Sequence, residues 1–293
     1  MSSETAQTPS PAAHELTDLM HLSRPRVIGA WRVGEVLLDP GPSSCLGRLE
    51  PMLARDPPSV IALTHIHLDH AGATGSLLQR FPETEVWVHE RGARHLVDPS
   101  RLLDSATRLY GEQMERLWGE VLPVPAERIR VLAGGERLGA GHELEAAYTP
   151  GHASHHVSYL HRPSGWAFTG DVTGVRIGGA AVLAPTPPPD IDLPAWRESL
   201  QRVESWRPRR LALTHFGAYE DVAEHLAALR ANLAEMELLA GELDEEAFSA
   251  AIRERVAAAA EPALAASYAQ AMTPGQSYHG LRRYLGLQEQ RPG

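Results

Sequence analysis

The chain has a single cysteine, fewer basic than acidic side chains, and no apolar run approaching the ~20 residues that a bilayer crossing needs. Each shortage excludes something. Cys45, being alone, rules out an internal disulfide framework. It lies beside a Pro-Ser turn, and the sequence holds no G-x-S-x-G string, so a thiol or serine nucleophile has no support. With 27 basic against 37 acidic residues and a formal charge of −10, the electrostatic footprint of a nucleic-acid-binding protein is missing. A small-molecule partner is expected instead, with neither nucleic acid nor membrane. Residues 1–14 are rich in Ser, Thr, Pro and Ala, without a basic start or an apolar core, so a cytoplasmic location is expected. No internal repeat is found.

What the chain does have is the segment Thr64-His65-Ile66-His67-Leu68-Asp69-His70. Three imidazoles and a carboxylate in six consecutive positions form the ligand set that borderline divalent cations prefer. In an extended loop His65, His67 and Asp69 share one parity and can face one cavity, while His70 turns in where a helix begins. Three more donors follow: His152 in Thr-Pro-Gly-His, Asp171 in Thr-Gly-Asp and His215 in Thr-His-Phe-Gly. Each stands just after a short β-branched or aromatic run and next to a glycine, as at strand ends on tight loops.

In this order, H-x-H-x-D-H, T-P-G-H, T-G-D and T-H resemble the metallo-beta-lactamase superfamily over about residues 21–217, in its glyoxalase II-like and lactonase-like branch. The resemblance implies a four-layer αββα sandwich of the α+β class. It also implies two divalent metal ions, zinc in the first instance, with iron or manganese as other candidates. One metal would take His65, His67 and His152, the other Asp69, His70 and His215, with Asp171 bridging. Asp39, at the end of the first hairpin, falls where the superfamily often has an acidic residue that hydrogen-bonds the metal loop. His156 matches the second histidine of the T-P-G-H-x-x-x-H pattern.

The element pattern suits that fold. A hairpin is expected over Arg26 to Leu38, a buried strand over Val60 to Thr64 and a helix over Ala71 to Arg80. Short strands follow from Ile129, then a helix capped by Asp192 and running to about Trp206, and a last strand over Leu211 to Thr214. Leu102, Leu103, Ala106, Leu109, Tyr110, Met114, Leu117 and Trp118 recur at helical spacing, a stripe that predicts core or the floor of a cleft. The expected organisation is a loose tail over 1–20, the sandwich over 21–217 and four or five helices over 218–293. Those helices read either as a packing element, including a homodimer contact, or as a wall of the substrate pocket.

The expected chemistry is attack of a hydroxide shared by two metals on an ester, thioester or lactone carbonyl, with Asp69 orienting the water or accepting its proton. The alternative, from another class, is a mononuclear iron-dependent oxygenase of the persulfide dioxygenase type, using only the equivalents of His65, His152 and Asp171. Arg176, Tyr219 and Tyr278 are further candidates for contact with an anionic or carbonyl group of the substrate.

Overall fold

In the computed structural model, which describes residues 14–138 and 143–290, the strands form two six-stranded sheets. The first runs in chain order through β1 (His14–Asp18), β2 (Gly29–Val33), β3 (Val36–Leu38), β4 (Val60–Ala62), β5 (Glu85–His89) and β6 (Ile129–Leu132). Its first three strands are antiparallel and β3 to β6 are parallel. The second contains β7 (Arg137–Leu138), β8 (Leu144–Tyr148), β9 (Val157–His161), β10 (Trp166–Phe168), β11 (Arg210–Leu213) and β12 (Gly217–Tyr219). It is antiparallel except where β10 meets β11.

Alternation along the strands fixes the layers. Val36, Leu38 and Trp87 of the first sheet share a core with Tyr159 and Phe168 of the second, so the sheets pack face to face. The intervening Leu37 and the neighbouring Ile61 and Val86 point the other way, onto Leu49, Leu53 and Leu77 of the helices Leu46–Arg55 and Thr74–Arg80. Behind the second sheet, Leu211 and Leu213 meet Trp196 and Leu200 of the helix Leu193–Ser205 and Leu229 of the helix Val222–Glu242. The result is the αββα sandwich. Each fully buried large apolar side chain contributes about 1.5–3 kcal/mol, so registry of these faces outweighs local propensity.

After the sandwich come four helices among the described residues: Val222–Glu242, Glu245–Ala259, Pro262–Ala271 and Pro274–Glu289. Pro262 and Pro274 each open a helix, where the missing N–H costs nothing. Asp244 caps its helix by accepting from the Ala247 N–H at 2.9 Å. No helix among the described residues is long and apolar enough to cross a membrane.

Several expectations are corrected. The stretch 14–18, assigned to a loose tail, is strand β1, paired with β2 from His14 opposite Val33 to Asp18 opposite Gly29. Residues 1–13 lie outside the described residues. The helix expected over Ala71 to Arg80 starts earlier and divides into Leu68–Ala71 and Thr74–Arg80. Leu211 to Thr214 is not the last strand, because β12 pairs with β11 and carries the sheet to Tyr219. Helix Leu46–Arg55 was not anticipated, since Pro51 interrupts its pattern.

Two features of the topology place the site. Strand β9 is antiparallel to both β8 and β10, and β10 is parallel to β11, so β8, β10 and β11 all end at one edge. The loop after β4 is tied to that edge by the Val157 N–H, which donates to Thr64 O at 2.7 Å, and the loop after β11 is tied to the start of β2 by the Gly29 N–H, which donates to Thr214 O at 2.9 Å.

Candidate metal centre

The seven side chains proposed from the sequence converge at this edge. His65, His67 and His152 form one group, of three nitrogen donors, and Asp69, His70 and His215 form another, of one carboxylate oxygen and two nitrogens. Nδ1 of His67 lies 3.0 Å from Nε2 of both His65 and His152. A tetrahedral ion with bonds of 2.0–2.1 Å to nitrogen has ligand-to-ligand edges of about 3.3 Å, so these three atoms are spaced as ligands would be. Asp171 stands between the groups. Its Oδ2 is 3.4 Å from His152 Nε2, and its Oδ1 is 3.2 Å from His70 Nε2 and 3.4 Å from His215 Nε2.

The outer nitrogens are held by oxygen acceptors. Nδ1 of His70 donates to Asp39 at 2.9 Å, that of His152 to Pro185 O at 2.8 Å and that of His215 to Val27 O at 2.5 Å. Such bonds place the proton on Nδ1 and turn the Nε2 lone pair inward, as metal-binding imidazoles require. His70 Nε2, His215 Nε2 and Asp171 Oδ1 are buried without a hydrogen-bond partner. Orphaned buried donors and acceptors are costly, and three of them pointing at one another fit a cation between them.

Electrostatics differ between the groups. Burial, followed by the neighbouring imidazoles, holds His65 well below its ordinary value and His67 at about 4. Burial also lowers His152. Burial alone would lower His70 and His215 too, but Asp171 and Asp69 outweigh it and raise both. Burial would raise Asp171, yet His70, His215 and His152 hold it well below the carboxylate range. Asp69 is likewise ionised against its burial, chiefly by His70.

Backbone constraints shape each loop. Gly151 has φ +136°, and a Cβ there would sit 2.3 Å from Trp196 Cα, so only glycine lets Pro150-Gly151-His152 press onto the helix Leu193–Ser205. That helix is capped by Asp192, which accepts from the Ala195 N–H at 3.1 Å. Asp39 has φ +47° and collects four donors: the Thr64 N–H, the Thr64 and Thr214 hydroxyls and His70 Nδ1–H.

A cavity of about 1150 Å³ opens over the centre, reaching His67, Asp69, His152 and Asp171. Its apolar wall comes from the helices Ser100–Tyr110 and Met114–Trp118, the stripe read as core or cleft floor. Gln270, Met272, Thr273 and Gln276 close the far side, so the C-terminal helices do line the pocket.

The remaining candidates fall differently. His156 is buried behind His65, with ring centroids 5.1 Å apart, and its Nδ1 meets the Thr149 hydroxyl at 2.9 Å, so it backs a ligand and does not reach the cavity. Arg176 is corrected as a substrate contact: its guanidinium pairs with Asp221 at 2.8 Å and stacks on Tyr219, away from the cavity. Its backbone instead holds the His215 loop, the N–H donating to His215 O at 2.7 Å. Tyr219 is corrected too, because its hydroxyl donates to Arg176 O and Phe216 O and braces that loop. Tyr278 packs against Phe248 in the helical core and does not line the cavity.

Sequence reasoning missed several lining residues. His155, which carries no motif position of its own, lines the cavity beside His67, with ring centroids 5.8 Å apart. His21 stacks on Trp118 and binds Gln270, a residue 249 positions away, and no local signal marks it.

Comparisons with known proteins agree with this geometry. A family model described as the metallo-beta-lactamase superfamily matches residues 34–215. The chain belongs to that superfamily. A metallo-beta-lactamase fold-containing protein of Sulfurisphaera tokodaii is 30% identical over 197 residues, spanning 65% of this chain and 72% of that protein. The crystal structure of an archaeal superfamily protein from Sulfolobus tokodaii covers 92% of this chain and 98% of its own, with TM-score 0.70 and 24% identity. A hydroxyacylglutathione hydrolase of Xanthomonas euvesicatoria is 29% identical over 176 residues, covering 58% of this chain and 51% of that enzyme. This superfamily member thus carries candidate His and Asp groups for divalent metal.

Proposed function

We propose that the chain is a binuclear metallohydrolase acting on an ester, thioester or lactone carbonyl of a small molecule. The observation that carries this reading is Asp171, whose two oxygens face separate donor groups at 3.2–3.4 Å. His65, His67 and His152 would hold one cation, Asp69, His70 and His215 the other, and Asp171 both. The mononuclear oxygenase reading leaves His67, Asp69, His70 and His215 without a task, although all four converge.

Divalent cations bound there supply Lewis acidity, lowering the pKa of water from 15.7 towards about 7 and polarising a carbonyl oxygen. Asp69 lines the cavity and is held ionised by His70 and His215. It therefore accepts a hydrogen bond from the attacking water and orients it, a role that needs no high basicity. The surrounding histidines keep their lone pairs inward, and the apolar wall offers a surface to an apolar part of the substrate. Thioesters enter through the hydroxyacylglutathione hydrolase likeness. Zinc, iron and manganese all suit this nitrogen and oxygen donor set. A cytoplasmic location fits the single cysteine, and a homodimer through the C-terminal helices remains part of this reading.

The test is metal content together with turnover. Two divalent ions per chain and hydrolysis of a member of a thioester, lactone and aryl ester panel support the reading. One iron per chain with oxygen uptake on a persulfide overturns it.

A further inference from the structure

The cavity is chemically two-sided. Leu102, Ala106, Leu109, Leu117 and Trp118 make an apolar wall. The rim beside His155 instead carries Arg91 and Arg94, from the helix Glu90–Val97, and Arg101, from the next helix. Arg91 and Arg94 are one turn apart and share a helix face. Arg94 Nε lies 3.2 Å from His95 Nε2, and Arg94 and Arg101 both act on His95, which places the basic groups in one cluster. All three are exposed, and none of their guanidiniums forms an ion pair among the described residues, whereas Arg162, Arg197 and Arg230 do; Arg91 lies over the Tyr148 ring at 5.9 Å. The chain has no lysine, so recognition of an anion falls to arginine.

Apart from Asp69 and Asp171 of the candidate metal centre, two carboxylates line the cavity. Asp190 accepts from the Ser154 hydroxyl at 2.6 Å, and Glu90 precedes Arg91. Outside the metal centre, three cations less two anions leave one positive charge (3 − 2 = +1). That balance suits one negative charge and gives little to a polyphosphate. A guanidinium grips a carboxylate through two parallel N–H donors, the geometry that favours Arg over a point charge.

We propose that Arg91, Arg94 and Arg101 form a carboxylate-binding rim, so that the substrate is an acyl compound with an apolar arm and one distal carboxylate. This rests on the hydrolase reading above. The apolar arm lies along Leu102, Leu109 and Trp118, the scissile carbonyl reaches Asp69 and Asp171, and the carboxylate stays at the solvent-facing mouth.

The experiment uses the metal-loaded full chain and two matched pairs of probes. The first pair is the S-phenyl monothioester of octanedioic acid with its distal carboxylate free, and the same thioester with that carboxylate methylated. The second is the corresponding N-phenyl amides, which report binding by calorimetry whether or not any thioester is cleaved. The wild type is expected to prefer the free acid about tenfold, in kcat/KM and in Kd. In R91Q/R94Q/R101Q the ratio should fall to about one, with metal content and the methyl ester's kcat/KM unchanged. Equal handling of acid and methyl ester by the wild type overturns the proposal. So does a preference that survives in the triple variant, since the metal centre itself would then hold the carboxylate. Cleavage of neither thioester, with the arginine-dependent binding preference intact, would sink the hydrolase reading and leave the rim standing.

Discussion

Oδ2 of Asp39 accepts from Nδ1 of His70 at 2.9 Å while standing wholly outside the groups of candidate ligands. The same carboxylate takes the Thr64 N–H and hydroxyl and the Thr214 hydroxyl, so one residue just after β3 fixes the loops after β4 and β11. Its side chain is acceptor-only and all four neighbours are donors, a match that no neutral residue reproduces.

Asp39→Asn tests this directly. Asn tolerates the left-handed backbone at φ +47°, which separates charge from strain. Either orientation of the amide turns its NH2 towards a donor, so His70 should lose its fixed orientation. Metal affinity should fall about 10–100-fold, measured by competition with a chelator of known affinity. Unchanged affinity would mean that Thr64 and Thr214 alone suffice to hold the loops.

Asp171 should couple the two metals. Asp171→Asn removes the charge that faces His152 on one side and His70 and His215 on the other. Metal titration should show both equivalents weakened together, whereas His67→Ala should lose one equivalent, since His67 touches only the His65 and His152 side. Activity should drop by at least about 10²-fold in both, since neither variant retains a complete pair of cations. If Asp171→Asn left one site untouched, Asp171 would be a terminal ligand and the single-metal reading would gain.

How much was legible in the sequence follows a physical divide. The candidate ligands stand in short motifs at strand ends, where a handful of adjacent residues carries the chemistry, and the glycines beside them mark tight loops. The αββα layering was legible through the order of elements and the family resemblance, not through the strands themselves, since Val36-Leu37-Leu38 and Val86-Trp87-Val88 are apolar throughout and only the structure divides their faces between two cores. The cavity wall was not. His21 reaches Gln270 and Tyr110 reaches Gln276, pairings 249 and 166 residues apart, and such contacts leave no periodic trace. Arg176 and Tyr219 looked like substrate contacts by type and proximity in sequence, yet a guanidinium stacked on a phenol ring at 4.3 Å serves the His215 loop instead.

Acid should loosen the β1 edge. His14 packs against Trp166, Phe168 and His161, and burial, followed by His161, lowers its pKa to about 4. The folded chain thus favours neutral His14, while the unfolded chain titrates near 6.5. Between those values the unfolded state binds more protons, so this contribution is present above pH 6.5 and is lost as pH falls towards 4. Partial exposure screens it to roughly 1 kcal/mol. His14→Phe keeps the ring contacts and removes the proton. Its urea midpoint should decline less than that of the wild type between pH 7 and 5, and equal declines would place the sensitivity in the other buried histidines.

The C-terminal helices should set substrate affinity through particular residues. Met272 and Gln276 line the cavity, and Gln276 also meets the Tyr110 hydroxyl at 3.4 Å, whereas Tyr278 is two residues away and turned into the helical core against Phe248. Position in the chain is therefore nearly constant while position in the pocket is not, which isolates the variable. Met272→Ala and Gln276→Ala should raise KM several-fold with kcat and metal content preserved, because the contacts they remove are made equally in ground and transition states. Tyr278→Ala should instead lower stability by about 2 kcal/mol, through loss of aromatic packing, and leave KM alone. Steady-state kinetics on a substrate found by the panel, with thermal unfolding alongside, separates the two. Should all three variants keep wild-type KM, the wall that touches substrate would have to be the opposite one, built from Pro187, Pro188 and Pro189 in the loop before the helix Leu193–Ser205.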